Sequence, residues 1–213
     1  MTLFRVLVLS TLGLLSACQT AIKPSSPVDS AVIWRDDEIY FDAIKRRYES
    51  LRQWQYTAKI AVTTPAVREV ATMVWNHADD FNDIRLFGPL GIGAVRLQFD
   101  DQGVVLFDSK GRKHVGDSAQ ALLTGIVGWP IPMDALSHWL SALPDFDAPY
   151  RYQLNENGVA VIEQFGWNIK YSSYRLYGDD AVRALLPRKI TAMKVLPDKT
   201  TLVVKLIAKS WEL

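Results

Sequence analysis

The sequence predicts a mainly β fold of the α+β class, in which a strongly curved antiparallel sheet forms an incomplete barrel and helices cover its open side. Three observations predict this fold. Apolar and polar residues alternate at a period of two both before and after the middle of the chain. Short turn motifs separate these runs, which favours antiparallel neighbours. The middle of the chain has helical spacing instead, so a helical segment divides the strands into two groups.

Residues 1–17 have the pattern of a lipoprotein signal peptide. Arg5 precedes an apolar run over residues 6–15, which is shorter than the roughly 20 residues that a transmembrane helix needs. The run ends in the lipobox Leu-Leu-Ser-Ala-Cys, so Cys18 is the predicted lipid attachment site and first mature residue. The alternative is a buried free cysteine that follows an ordinary signal peptide.

The residues after the cysteine predict location and attachment. In bacterial lipoproteins an aspartate at this position commonly signals retention in the inner membrane, and here the residue is Gln19. We therefore expect an outer-membrane protein on the periplasmic face, held by its N-terminal lipid. Residues 18–30 are rich in proline, serine and small residues and are predicted to form a flexible tether. Residues 31–213 are long enough for a single domain, which we expect to be a monomer.

Charge and composition exclude several classes of function. The chain has 24 lysines and arginines against 23 acids, and the signal peptide carries one arginine and no acid, so the mature chain has no net charge. This balance argues against binding to nucleic acid. The single cysteine is assigned to lipid, so the domain is expected to contain no disulfide. Seven Trp, eight Tyr and eight Phe suit a large core or an apolar pocket.

The domain is predicted to begin with an amphipathic helix over residues 36–51. Asp36 or Asp37 can cap it, and its polar face mixes both signs of charge. This helix could lie on a membrane surface, but the mixed charge favours packing on the sheet. Its apolar residues recur at helical spacing: Tyr40, Ile44, Tyr48 and Leu51.

The remaining helices and strands are predicted from helical spacing and from the strand period of two. Asp117 is predicted to cap a helix over residues 118–127, and a second helix over residues 133–142 follows the break at Pro130-Ile131-Pro132. Ala71, Met73 and Trp75 are expected to share one face of a strand. The predicted strands cover residues 56–62, 70–75, 83–87, 94–99, 104–107, 150–154, 159–165, 167–174, 187–195 and 200–208.

The sequence contains no motif for catalysis, metal binding or a cofactor. His77, His114 and His138 do not stand at metal-ligand spacing. Gly91 and Gly93 are not followed by the third glycine of a dinucleotide site. We therefore expect that the protein binds neither a metal nor a cofactor and is not an enzyme. Paired carboxylates in a polar cleft would instead favour a lipid or glycan hydrolase.

An apolar loop over residues 87–93 stands out, because hairpin tips are expected to be polar. If Pro89 fixes the turn and Gly91 supplies a positive φ, Leu90 lies at the apex and points outward. The functional interpretation is a tip that inserts into a membrane. The alternative is a loop that folds back and buries Leu90.

Several sequence segments, taken in their order along the chain, resemble the LolB family of outer-membrane lipoprotein receptors. The resemblance runs over the mature chain and is weakest from about Arg175 onward. It rests on the lipobox, the Leu-Arg-Gln-Trp that ends the first helix, the strand that ends in Trp75, and the segments 85–91, 128–132, 139–140 and 143–144.

The resemblance implies a half-barrel closed by helices around a hydrophobic cavity. It implies acceptance of triacylated lipoproteins from the periplasmic carrier LolA, and their insertion into outer-membrane phospholipid without nucleotide hydrolysis. The family's protruding loop corresponds here to Pro89, Leu90 and Gly91. This chain has Phe87 and Gly88 before that proline, where a more polar shoulder would also fit.

Six inward-facing residues are predicted to line the cavity for acyl chains. Each of them could equally be an ordinary core residue. They are Met73, Trp75, Leu86, Leu97, Trp129 and Trp139. If all six belong to a closed core, the alternative function is a structural or assembly lipoprotein of the envelope, whose loop contacts another protein.

Overall fold

The computed structural model describes residues 45–46, 52–89, 93–155, 158–179 and 182–213. Within them, eleven strands form one antiparallel sheet, and two helices, α1 (Ala119–Val127) and α2 (Met133–Leu140), lie in the connection between the sixth and seventh strands. The predicted fold class is confirmed. The strands are β1 Gln53–Thr63, β2 Arg68–Ala78, β3 Phe81–Phe87, β4 Val95–Asp100, β5 Gly103–Phe107, β6 Lys113–Gly116, β7 Tyr150–Asn155, β8 Gly158–Gln164, β9 Trp167–Gly178, β10 Arg183–Val195 and β11 Thr201–Glu212.

The sheet consists of two meanders joined in its middle. The strand order is β6-β5-β4-β3-β2-β1-β11-β10-β9-β8-β7, so β1 pairs with β11 and the sheet ends at β6 and β7. We call β1–β6 the N-terminal half and β7–β11 the C-terminal half. The two edge strands do not pair with each other, and the barrel is therefore incomplete among the described residues.

The alternation of buried and exposed residues along the strands distinguishes the two faces of the sheet. Along β1, every second residue from Trp54 to Val62 is buried, and Ala71, Met73 and Trp75 are buried on β2, as predicted. We call this the inner face, because α1 and α2 pack on it. Buried residues from both halves and both helices form one hydrophobic core.

The helices begin and end close to the predicted positions. Ser118, rather than Asp117, caps α1: its Oγ accepts a hydrogen bond from the N–H of Ala121 at 3.2 Å. The prediction of Asp117 is wrong by one residue, because both residue types cap well. Helix α2 ends at Leu140, two residues early.

The predictions missed β6, and several strands extend beyond their predicted bounds, among them three in the C-terminal half. β9 and β10 continue as a hairpin over residues 175–178 and 183–186, and β11 reaches Glu212. In the hairpin, Leu176 and Leu185 are exposed while their neighbours Tyr177 and Leu186 are buried, so both faces carry apolar residues and the period of two is hidden. In β11, a register shift places the buried Ala208 and Trp211 three residues apart.

Several predictions fall outside the described residues. These are the signal peptide, Cys18, the tether, and Leu90 and Gly91 of the loop. Of the helix predicted over residues 36–51, only Lys45 and Arg46 are described, and both are helical. No helix in the described part of the chain is long and apolar enough to cross a bilayer.

Candidate functional site

A small apolar cavity lies between the helices and the inner face of the N-terminal half. Its volume is about 10 Å³, close to the lower limit of about 10–15 Å³ for a single water molecule. The lining residues come from β1–β4, α1, α2 and the segment between the helices, and all of them are apolar. They are Ile60, Met73, Ile84, Leu86, Leu97, Leu123, Trp129, Ile131, Met133 and Leu136.

The size of this cavity depends on where the helices lie. Leu123 from α1 and Met133 and Leu136 from α2 fill the space above the strands, and each is almost fully buried. The void is too small for an acyl chain in this arrangement. Any larger apolar ligand must therefore displace helix side chains or the helices themselves.

One polar contact fixes the segment between the helices to the sheet. Helix α1 ends at Val127, and the residue that caps it, Gly128, has a left-handed φ of 81° that suits glycine. The next residue, Trp129, donates its indole N–H to Glu69 Oε2 on β2 at 2.6 Å. Its ring faces the cavity, so this hydrogen bond holds one wall of the cavity in place.

The structure brings four of the six predicted residues together. Met73, Leu86, Leu97 and Trp129 line the cavity. Trp75 and Trp139 are buried but lie outside its lining, and their indole N–H groups donate to Asn82 Oδ1 and Gln164 Oε1, both at 3.0 Å.

The sequence reasoning did not select the other lining residues. Ile60 and Ile84 were recognisable as inward positions from the period of two, but that period does not show which inward residues lie beneath a helix. The other lining residues that the sequence did not single out are Leu123, Ile131, Met133 and Leu136.

Two arginines lie at the base of the loop over residues 87–93, on the outer face of the sheet. Arg96 donates from Nε and Nη2 to the carboxylate of Asp83 at 2.7 and 2.9 Å, and Arg85 donates to the same carboxylate at 3.1 Å. Burial raises the pKa of Asp83, but the bonds and charge of Arg96, with those of Arg85, outweigh it and hold the pKa below its usual value. In the loop, Pro89 is exposed.

The three histidines lie in separate places. His77 stacks on Trp54 with ring centroids 4.9 Å apart, and His114 Nε2 lies 3.1 Å from Asp108 Oδ2. Burial lowers the pKa of His138 on α2. Across the described ranges, no three His, Cys, Asp or Glu residues are grouped so that they could hold a metal ion.

Comparison with known protein families gives one match, over most of the described domain. The family model described as "Outer membrane lipoprotein LolB" matches residues 52–211. The match includes every lining residue of the cavity.

Curated relatives carry the same description. The Outer-membrane lipoprotein LolB of Francisella tularensis subsp. novicida is 28% identical over 200 residues, covering 93% of this chain and 89% of that protein. That of Pseudomonas syringae pv. syringae is 32% identical over 175 residues, covering 82% of this chain and 83% of that protein.

Two solved structures share the fold at low sequence identity. A DUF1329 family protein from Desulfovibrio piger has a TM-score of 0.54 at 6% identity, covering 82% of this chain and 91% of that chain. A putative outer membrane lipoprotein-sorting protein domain from Vibrio parahaemolyticus has a TM-score of 0.52 at 9% identity, covering 80% and 88%. At these identities the likeness concerns the fold alone.

Proposed function

Because this chain belongs to the family of the outer membrane lipoprotein LolB, we propose that it receives triacylated lipoproteins from the periplasmic carrier LolA and inserts them into the outer membrane. The chain is an outer-membrane lipoprotein with a role in lipoprotein localisation. The observation that carries the finer proposal is the all-apolar cavity between the helices and the sheet.

The chemistry of the cargo suits this cavity. An acyl chain in water costs about 0.8 kcal/mol for each exposed CH₂ group, so a lipoprotein in transit needs an apolar site. Transfer requires only that this site bind acyl chains more tightly than the carrier does, and less favourably than the bilayer. No nucleotide hydrolysis and no catalytic residue takes part in this scheme.

The cavity must enlarge before it can accept a chain. At about 10 Å³ it has room for about one water molecule. Helix α1 buries only Ala119 and Leu123 and is therefore the part of the cover that moves most easily. We propose that acyl chains displace α1 and bind against Met73, Leu86, Leu97 and Trp129. Trp75 and Trp139 support the surrounding core.

The loop supplies the step into the bilayer in this proposal. Leu90, between Pro89 and Gly91, would enter the outer-membrane phospholipid, where one buried leucine is worth about 1.5–3 kcal/mol. Such an energy is enough to orient the protein transiently but not to anchor it. The lipid on Cys18 provides the lasting attachment, since a multi-chain anchor is persistent.

A transfer assay tests the proposal directly. The mature chain, residues 18–213 with Cys18→Ala, is mixed with purified LolA loaded with a lipoprotein, and liposomes are then added. We expect the lipoprotein to move first to this chain as a one-to-one complex and then into the liposomes. If it stays on LolA while this chain is folded, the receptor role is wrong and a structural or assembly role takes its place.

Variants of two exposed positions separate acceptance from insertion. Leu90→Glu should leave acceptance from LolA nearly unchanged and block delivery to liposomes, because a carboxylate is costly in an apolar layer. Leu176→Glu is the matched control, since Leu176 is an exposed leucine at the opposite end of the sheet. Equal delivery by both variants would contradict the role of the loop.

A further inference from the structure

Four buried aromatic side chains lie at the end of the sheet opposite the loop over residues 87–93. They are Trp54 and Tyr56 on β1, Tyr177 on β9 and Trp211 on β11, and we call them the aromatic end cluster. Their exposed fractions are 4%, 0%, 7% and 4%. The two indole N–H groups and the two hydroxyls have no hydrogen-bond partner among the described residues.

Three members of the cluster are in ring contact, and Tyr177 lies at the same end of the sheet. Tyr56 pairs with Trp211 across the β1–β11 ladder, and their ring centroids are 4.7 Å apart. The rings of Trp54 and Trp211 are 5.2 Å apart. Burial raises the pKa of Tyr56, and Tyr177 raises it further.

Single unpaired atoms also occur elsewhere among the described residues, at Ser141, Trp167, Asn168 and Ser173, but this cluster gathers indoles and tyrosine hydroxyls. Trp75, Trp129 and Trp139 donate their indole N–H groups to Asn82, Glu69 and Gln164. Tyr171 donates its hydroxyl to the Trp139 carbonyl at 3.0 Å. Trp167 is a further unpaired indole, but it lies at the other end of the sheet and has no unpaired tyrosine hydroxyl beside it.

The polar side chains next to the cluster already have partners of their own. Asn82 Oδ1 accepts the indole N–H of Trp75 and lies 3.0 Å from His77 Nδ1. His77 in turn stacks on Trp54 with an interplanar angle of 23°. Asn82 and His77 therefore cannot turn to satisfy the cluster without breaking their own contacts.

An unpaired buried polar group costs about 1–3 kcal/mol, so four of them together indicate a partner beyond the described residues. Indole N–H groups only donate, and tyrosine hydroxyls can donate. The complementary ligand is therefore rich in acceptors and poor in donors. Ester and amide carbonyl oxygens at the polar end of an acyl chain have this character.

The register places the cluster beside the cavity on the same inner face. On β2, Met73 lines the cavity, and the next inward residue, Trp75, pairs with Tyr56 of the cluster. On β1, Ile60 lines the cavity, and Tyr56 lies two inward positions along the strand. We infer that the aromatic end cluster binds the ester and amide carbonyl groups of a lipoprotein's lipid while its acyl chains occupy the cavity. This inference rests on the proposed function.

Calorimetric binding of two phospholipids tests the inference. One is a short-chain diester phosphatidylcholine and the other is its diether analogue with the same chains, each kept below its micelle concentration. The protein is residues 18–213 with Cys18→Ala. We expect the diester to bind at least about tenfold more tightly, because only the diester offers carbonyl acceptors to the cluster.

The double variant Tyr56→Phe with Tyr177→Phe removes both hydroxyls and keeps both rings. It should bind the diether lipid as the unsubstituted chain does and lose most of the preference for the diester. The matched control is Tyr174→Phe, whose hydroxyl bonds to the Val159 carbonyl at 2.6 Å outside the cluster. The control should keep the preference.

The outcomes separate this inference from the proposed function. If the two lipids bind equally to the unsubstituted chain, the carbonyl site is wrong and the apolar cavity stands. If neither lipid binds, the proposed function fails and the inference with it. Urea unfolding without lipid is the second measurement: lower stability in the double variant would show that the hydroxyls already bond to buried water, and would overturn the inference.

Discussion

The two helices are held to the sheet in different ways. Helix α2 buries Met133, Ala135, Leu136, Trp139 and Leu140, and it is also fixed to the C-terminal half by polar contacts. There, Gln164 Oε1 accepts the indole N–H of Trp139 and the N–H of Asp145, at 3.0 and 2.9 Å. Its Nε2 donates to the carbonyls of Asp145 and Ala148.

Helix α1 lacks such a network among the described residues. It buries Ala119 and Leu123, and its neighbour Trp129 contributes one hydrogen bond to Glu69. In the N-terminal half, a cluster of ion pairs lies on the outer face instead, where Asp83 binds Arg85 and Arg96. The comparison teaches that, of the two helices over the cavity, α1 is the one that is easier to displace.

The largest expected effect comes from the polar network under α2. Gln164→Leu should lower the free energy of unfolding by about 3–5 kcal/mol, because it leaves several buried donors and acceptors unpaired. Urea unfolding measures it. The matched control is Gln153→Leu on β7, since Gln153 makes no side-chain hydrogen bond to another described residue. Equal losses in the two variants would show that this network does not fix α2.

The outer-face cluster should make the N-terminal half sensitive to acid. Asp83→Asn should cost about 1–3 kcal/mol at neutral pH, because charged hydrogen bonds are lost. The pKa of Asp83 is lowered in the folded state, so its contribution is present above its unfolded value of about 3.9 and is lost as the pH falls through the folded value.

Urea unfolding at several pH values measures this contribution. The difference between Asp83→Asn and the unsubstituted chain should therefore shrink below about pH 4. Asp101→Asn, in the exposed turn between β4 and β5, should show little difference at any pH. A difference for Asp83→Asn that stayed constant with pH would contradict the ion pairing.

A smaller effect is expected at the cavity wall. Trp129→Phe keeps most of the ring but removes the bond to Glu69, and should cost about 1–2 kcal/mol. The same variant should accept a fluorescent fatty acid faster in a stopped-flow assay, since the segment between the helices is freed. Glu69→Gln retains an acceptor oxygen and should change both quantities less. An unchanged uptake rate in Trp129→Phe would argue against a displaceable cover.

The smallest effect concerns the start of α1. Ser118→Ala removes the cap and should cost about 1 kcal/mol. Asp117→Ala is the control, because the sequence favours Asp117 as the cap while the structure assigns this role to Ser118. Thermal unfolding of the two variants decides between them. A larger loss in Asp117→Ala would restore the prediction made from the sequence.

The strands were predictable where one face is apolar and the other polar. This holds for β1 to β4, since their period of two is set by burial on the inner face. It fails in the hairpin of β9 and β10, where exposed Leu176 and Leu185 add apolar residues to the outer face. It also fails beyond Ala208, where the register shift changes the spacing of buried residues.

The candidate site was predictable only in part, for a related reason. Period and residue type identify inward apolar positions such as Met73 and Leu97, but the cover over them depends on where a distant helix packs. Gln164 shows the opposite difficulty. A glutamine in a strand is expected to face water, and only the tertiary fold brings Trp139 and Asp145 to it.

The pairing of β1 with β11 has a consequence for folding. It joins residues that are far apart in the sequence, such as Tyr56 and Trp211. The other strand pairs are formed by strands that follow each other in the chain. Each meander can form locally, but the central ladder needs contacts of high sequence separation and forms slowly. A chain that lacks β11 exposes β1 as an unpaired edge, which invites pairing with other chains. The β1–β11 ladder in the middle of the sheet is therefore the place where this protein most needs protection from aggregation until β11 has paired with β1.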